Sequence, residues 1–402
     1  MIERCLAATV RAVSRAGADA AAGAAFGAIT LTGLLISSNL ACAAAPTPAQ
    51  QQALAKAFDN AVAAGFEGEV LVGDLQDIWF EQAAGRADRA RGLLHRTGAV
   101  WRWASVSKQV TAVMTLQAVA EGRLALQDTV QKHLPSFTGP TAAKVTVRQL
   151  LQHTAGLPNP DDTPEGGGVP SFYLRQGADL QPAALAYCAA APKRAPGERF
   201  EYNNCDTLVL SAILGAVERQ TPAELLSRRV AQPLGLKTLR LNQGSGREGS
   251  QAVAYDAAGH PVSQPQVATF GLSGAMEGSA RDLLTFDRAL LSDRMLPRAL
   301  RDVMWAGEPK LGYVALGAWS FEARLAGCQA PVKLVERRGD VGGVQVRNLI
   351  APQSGVSLVV FTNLAELDFG EIWQGRGLSH DLAAAAFCPE AESRAEPQPP
   401  GG

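Results

Sequence analysis

Strand patterns lie at the two ends of this chain and helical patterns fill the space between them. That distribution constrains the fold more than any single motif does. Near the start, Gly68-Glu-Val-Leu-Val72 and Ile78-Trp-Phe80 read as an antiparallel pair joined by a short polar turn. Late in the chain, Val314 to Phe321, Val332 to Arg337, Gly343 to Ile350 and Val356 to Phe361 carry strand patterns again. Between these sets, helical spacing runs through Val145 to Leu151, Pro182 to Ala190, Asp206 to Glu218 and Pro222 to Val230. Further helices are expected at Thr47 to Ala64, with Leu54, Phe58, Ala61 and Val62 on one face, at Ala280 to Leu291, and at about Glu371 to Phe387. The pattern implies an α+β fold: an antiparallel sheet built from both chain ends and flanked by helices, with a mostly helical second lobe within roughly residues 125–280. A site falls naturally in the cleft between the lobes. Loops are expected at Gly85 to Thr97, at Asn159 to Pro170 and over Gln243 to Ser250, with a Gly-rich turn region from Phe270 to Gly278.

The two termini differ from the rest. Arg4, Arg11 and Arg15 precede an Ala-rich apolar run from about Ala20 to Leu35, followed by small residues. Residues 1–45 therefore read as a secretory signal, with Ala41-x-Ala43 or Cys42-x-Ala44 as cleavage sites. A periplasmic or secreted protein is expected, and membrane contact only if this segment anchors it. A lipoprotein is the lesser option at Cys42, because Asn39 stands where lipoprotein signals usually have an apolar residue. The tail 389–402 holds Pro, Glu and Gly without apolar content and is expected to be disordered. Cys188, Cys205, Cys328 and Cys388 remain in the mature chain, enough for two disulfides in three connectivities or for buried thiols. The pairs Cys188 with Cys205 and Cys328 with Cys388 are the expected ones.

With 37 Lys and Arg against 38 Asp and Glu, the formal charge is −1, and no basic block carries interleaved aromatics. A small-molecule or short-peptide substrate is expected, not nucleic acid. His95, His133, His260 and His380 are scattered, and no cysteine pair has zinc spacing, so no metal is expected.

The motif that carries chemistry is Trp101-Arg-Trp-Ala-Ser105-Val-Ser-Lys108, which enters an amphipathic run with Val106, Val110, Val113, Met114 and Ala118 at helical spacing. Residues three apart share a helical face, so the Ser105 hydroxyl and the Lys108 amine can meet. A lysine beside a serine can act as its base, and a helix start favours a developing anion. Taken alone, the same pattern also describes an ordinary N-cap followed by a solvated lysine.

Four stretches together resemble the serine β-lactamases and penicillin-binding-type hydrolases, especially the class C β-lactamase, esterase and D-peptidase branch, over residues 65 to 388. Ala104-Ser105-Val-Ser-Lys108 is similar to the nucleophile motif, and Leu150-Leu151-Gln-His153-Thr-Ala-Gly156-Leu-Pro158 to a structural turn of that branch. Tyr202-Asn203-Asn204 resembles the Tyr-x-Asn motif, and Arg337-Arg338-Gly339-Asp340 falls where a Lys-Thr-Gly or His-x-Gly strand would lie. The resemblance implies a β-lactamase/transpeptidase-like catalytic domain over 46–388, without a cofactor. It implies an acyl-enzyme at Ser105, with Lys108 and Tyr202 sharing the base work and His153 as a turn residue. Asn204 would hold the substrate amide and help position Lys108. The backbone N–H groups of Ser105 and of Asp340, after Gly339, would hold the oxyanion. Arg337 departs from the family's Lys or His; it can bind a substrate carboxylate bidentately but cannot carry a proton. The expected substrate is a β-lactam, a D-amino-acid peptide or a small ester. The alternative is a non-hydrolytic β-lactam or peptidoglycan-fragment binding or sensor domain.

Overall fold

Eleven strands and their burial pattern set the frame, in a computed structural model that describes residues 45–160, 180–242 and 252–388. In chain order the strands are β1 (Gly68–Gly73), β2 (Ile78–Ala84), β3 (Arg86–Asp88), β4 (Leu93–Leu94), β5 (Val100–Arg102), β6 (Arg240–Leu241), β7 (Met276–Ser279), β8 (Trp319–Ala323), β9 (Val332–Val341), β10 (Val344–Ala351) and β11 (Val356–Thr362). The main sheet has the order β2-β1-β11-β10-β9-β8, so the first and last strands of the chain pair in its interior. Every neighbour pair in it is antiparallel, with Gly68 opposite Thr362 and Asn348 opposite Arg337. The α+β architecture is therefore as expected, a sheet made from both ends of the chain and flanked by helices.

The sheet's two faces bury different sets of side chains, because successive residues point to opposite sides. Leu334, Leu349, Leu358 and Val360 pack with Leu54 and Phe58 of the Pro48–Ala63 helix and with the Leu378–Phe387 helix. Thr47 caps the first of these helices by accepting from the Gln50 N–H at 3.1 Å, and Pro48 begins it. Val62, expected on the buried face, is exposed instead. On the other face, Val335, Val341 and Phe361 join the Ser107–Ala120 helix and the Ala280–Leu291 helix.

The Ser107–Ala120 helix is buried on nearly every side, which corrects the amphipathic reading. Its polar residues are satisfied internally: the Thr111 hydroxyl donates to the carbonyls of Ser107 and Leu272, and the Thr115 hydroxyl to that of Thr111. The helix packs on the Asn204–Glu218 helix, which in turn packs on the segments Val130–His133, Val147–Leu151, Leu180–Cys188 and Pro222–Leu226.

Several local expectations are corrected. Gly85 to Thr97 contains the β3–β4 hairpin, and the Phe270–Gly278 region holds a 3₁₀ segment (Val267–Ser273) followed by β7. That strand joins β5 and β6 in a second, three-stranded sheet. The strand expected from Val314 begins only at Trp319, because Gly312, Tyr313 and Gly317 all take positive φ in the preceding turn. The last helix begins at Leu378, since Gly375 and Gly377 interrupt it. The disulfides Cys188–Cys205 and Cys328–Cys388 are formed as expected. The signal segment apart from Ala45, the expected loop from residue 161 onward, residues 243–250 and the tail 389–402 lie outside the described residues.

Candidate active site

Ser105 sits in a 3₁₀ turn, Ala104–Val106, that joins β5 to the Ser107–Ala120 helix. Ala104 holds φ at 45°, a left-handed value that is costly for a residue with a Cβ. Trp103 anchors the approach: its indole N–H donates to the Gly278 carbonyl at 3.0 Å, and its backbone N–H to that of Met276 at 2.8 Å. The turn therefore presents Ser105 from a rigid base. Facing it is β9, whose residues 337–341 run past the end of β8, where Trp319 pairs with Glu336. A Cβ built on Gly339 would lie 2.8 Å from the Ser105 nitrogen and 2.9 Å from the Ala104 Cβ. Only glycine lets the strand approach the Ser105 N–H this closely.

The side chains of Ser105, Lys108 and Tyr202 meet. Ser105 Oγ is 2.6 Å from Tyr202 Oη, and Lys108 Nζ donates to Ser105 Oγ at 3.0 Å. Lys108 also donates to Asn204 Oδ1 at 2.6 Å and to the Ser273 carbonyl at 2.8 Å. Asn204 therefore stands behind Lys108, as one half of its expected role requires. Its neighbour Cys205 is disulfide-bonded to Cys188, and Asn203 caps the same helix by accepting from the Cys205 N–H at 2.8 Å. These bonds fix the start of the Asn204–Glu218 helix against the site.

Arg337 is where the expectation and the structure part. Its guanidinium is buried: Nε donates to the Ser105 carbonyl at 2.8 Å and an Nη to Tyr202 Oη at 3.1 Å. It lies over the rings of Tyr202 and Trp319, 5.3 and 5.2 Å from their centroids. Where a contact with a substrate carboxylate was expected, the charge points inward from β9 and bonds to Tyr202. Strand alternation puts the next residue, Arg338, on the cleft wall instead. The cleft, about 320 Å³, is lined by Ser105, Tyr202, Trp319, Arg338, Gly339 and Asp340, with β10 behind.

Burial opposes ionisation of the Tyr202 phenol, and this is the largest single effect on it. The charges of Lys108 and Arg337, with hydrogen bonds from Lys108 and Ser105, outweigh burial and hold its pKa below the usual tyrosine range. Behind Tyr202, the His153 ring packs 4.8 Å away, and its Nδ1 lies 3.1 Å from Asp206 Oδ2. Burial pushes the His153 pKa well down, aided by Arg337 and Lys108, and pushes that of Asp206 well up. Both shifts favour the uncharged forms of the pair, which packs behind the Tyr202 ring. His153 itself takes φ of 54° in the turn after the Val147–Leu151 helix.

Sequence reasoning missed the Ser273 carbonyl, Trp319 and the wall position of Arg338. Only Arg338 left a signal, as the opposite-parity neighbour of Arg337.

A family model described as Beta-lactamase matches residues 54–377. Among curated proteins, Esterase EstB of Burkholderia gladioli is 34% identical over 173 residues, 40% of this chain and 43% of that protein. The chain thus spans less than half the length of this relative in the matched region. A D-stereospecific amidohydrolase from a Streptomyces species shares 28% identity at a TM-score of 0.66, over 85% of this chain and 98% of that one. A D-amino acid amidase from Ochrobactrum anthropi, at 19% identity and a TM-score of 0.69 over 84% of this chain and 98% of its own, shares the fold.

Proposed function

The chain belongs to the beta-lactamase family, and on that premise we propose that it is a serine hydrolase cleaving an amide or ester through an acyl-enzyme at Ser105. The observation that carries this reading is the placement of Ser105 Oγ within hydrogen-bond reach of both Lys108 Nζ and Tyr202 Oη. The phenolate of Tyr202, 2.6 Å from Ser105 Oγ and favoured by the charges of Lys108 and Arg337, is the group assigned to take the serine proton. Ser105 Oγ attacks the carbonyl carbon, and the carbonyl oxygen takes the electron pair. The Ser105 N–H, with the N–H of Asp340 beside Gly339, is assigned to that oxyanion. Tyr202 returns the proton to the departing amine or alcohol, and water then repeats the sequence on the acyl-enzyme. The same cluster argues against a non-hydrolytic sensor, because the buried Arg337 supports Tyr202 beside Ser105.

We also infer export, supported by the signal-like residues 1–45 and by the two disulfides. Cell fractionation with N-terminal sequencing of the mature chain tests it. Labelled palmitate incorporation that is lost in Cys42→Ser would place a lipid anchor there.

A fluorophosphonate or a fluorescent penicillin is expected to label the purified protein, and Ser105→Ala to abolish the label. Persistent labelling of that variant would overturn the assignment.

A further inference from the structure

The cleft beside Ser105 carries one carboxylate whose charge the surrounding network does not balance. Arg338 donates to both oxygens of Glu336, at 2.9 and 3.2 Å, and to Glu371 at 2.7 Å. Arg347 donates to the same Glu336 at 2.8 Å. Two arginines and two glutamates thus close a neutral set on the outer face of β9 and β10. Asp340 stands outside it. Among the described residues it forms no salt bridge, and its Oδ1 accepts only the Gly343 N–H, at 3.2 Å, across the turn into β10. That bond holds the carboxylate on the wall of the cleft that also contains Ser105 and Tyr202, where partial burial raises its pKa above the usual Asp range.

We propose that Asp340 is the specificity-determining residue of this cleft and selects acyl groups that carry a cationic amine near the scissile carbonyl, as an α-aminoacyl group does. This rests on the acyl-transfer reading of Ser105. Two physical effects act in the same direction. A substrate ammonium gains a charge-assisted hydrogen bond to Asp340. Asp340 also flanks the place where the carbonyl oxygen becomes negative, so its unneutralised charge raises the energy of that intermediate. A cation on the substrate removes this penalty, while a substrate carboxylate adds to it. The cations Lys108 and Arg337 lie behind the serine, engaged with Asn204, Ser273, Ser105 and Tyr202, and do not offset Asp340 at the wall.

Four p-nitroanilides of matched size test this: L-alanyl, D-alanyl, their neutral isobutyryl isostere, and the anionic hemimalonyl compound. The reading is the ratio of kcat/KM for the alanyl over the isobutyryl substrate within each protein, so a general loss of rate cancels. The parent is expected to prefer the alanyl substrate, and Asp340→Asn to lower the ratio roughly 10- to 100-fold, the range of a hydrogen bond to a charged group. Asp340→Lys is expected to bring the hemimalonyl substrate above the alanyl one. Fluorophosphonate labelling of Ser105 is measured on the same samples. Labelled protein whose ratio does not respond to either variant overturns the Asp340 proposal alone. A parent that is neither labelled nor active overturns both it and the reading it rests on.

Discussion

On the proposed acyl-transfer mechanism, Arg337 and Tyr202 together set the pH at which Ser105 becomes a nucleophile. The phenolate is the reactive form, so acylation rises as pH climbs through the lowered pKa of Tyr202. Because Ser105, Lys108 and Tyr202 share protons, that acid limb belongs to the cluster and not to one residue. Arg337→Met removes a cation bonded to Tyr202 Oη, so the acid limb is expected to move upward by about one pH unit or more. At neutral pH the labelling rate then falls about 10- to 100-fold. Fluorophosphonate labelling rates from pH 5 to about 10 check this; a rate lowered equally at every pH would mean that Arg337 only supports the fold. At this scale the sequence was informative about identity and silent about direction. Arg337 stood out as a departure from Lys or His. Whether its side chain met the cleft or the interior depended on which face of β9 the 3₁₀ turn of Ser105 occupied, and that contact joins segments more than two hundred residues apart. The Ser273 carbonyl left no trace, since any residue has one.

The close approach of β9 to the nucleophile turn is a property of two elements and depends on one missing side chain. A methyl group at Gly339 would meet Val346 Cγ1 at 2.7 Å, the Ser105 nitrogen at 2.8 Å and Ala104 Cβ at 2.9 Å. Two of those contacts are with the strained turn that aims Ser105, so the turn has to move. Gly339→Ala is expected to slow Ser105 labelling at least about 100-fold and to destabilise the protein by about 1–3 kcal/mol, the usual cost of overpacking. Gly312→Ala serves as the comparison: it takes φ of 68° with nothing within 4 Å of the added methyl, so it bears backbone strain without touching the site. Its labelling rate is expected to match that of the parent, and equal losses in both variants would remove the steric explanation. Elements with strong period-two or helical spacing were legible, including the strands from 332 onward and the Ala280–Leu291 helix. β5, β6 and β7 were not, because strands of two to four residues are too short to show a period and form only when Trp101 and Gly278 pair across the fold.

Buried carboxyls whose pKa values burial raises join the layers of the molecule, and they tie its stability to pH. Asp287, on the Ala280–Leu291 helix, accepts from Asn348 Nδ2 of β10 at 3.0 Å, and the same Asn348 donates to Gln109 of the Ser107–Ala120 helix at 3.3 Å. This polar contact joins the sheet to two helices inside the core. Burial pushes the Asp287 pKa up to about 8, against the hydrogen bond from Asn348 that favours the carboxylate. Glu69 of β1 is likewise pushed up to about 7, mainly by burial and despite bonds from the Gly98 N–H and the Trp101 indole. In the unfolded chain such groups titrate near pH 4, so between about pH 4 and 8 the folded state binds protons that the unfolded state has released. Stability from these sites is complete below that window and is lost as pH rises through the folded-state values. Asp287→Asn keeps a neutral side chain of the same shape at every pH. The variant is therefore expected to gain on the parent as pH rises, by on the order of 2–4 kcal/mol between pH 5 and pH 8.5. Urea unfolding at those two pH values measures the gain; a constant difference between parent and variant would mean that Asp287 is ionised in the folded protein throughout.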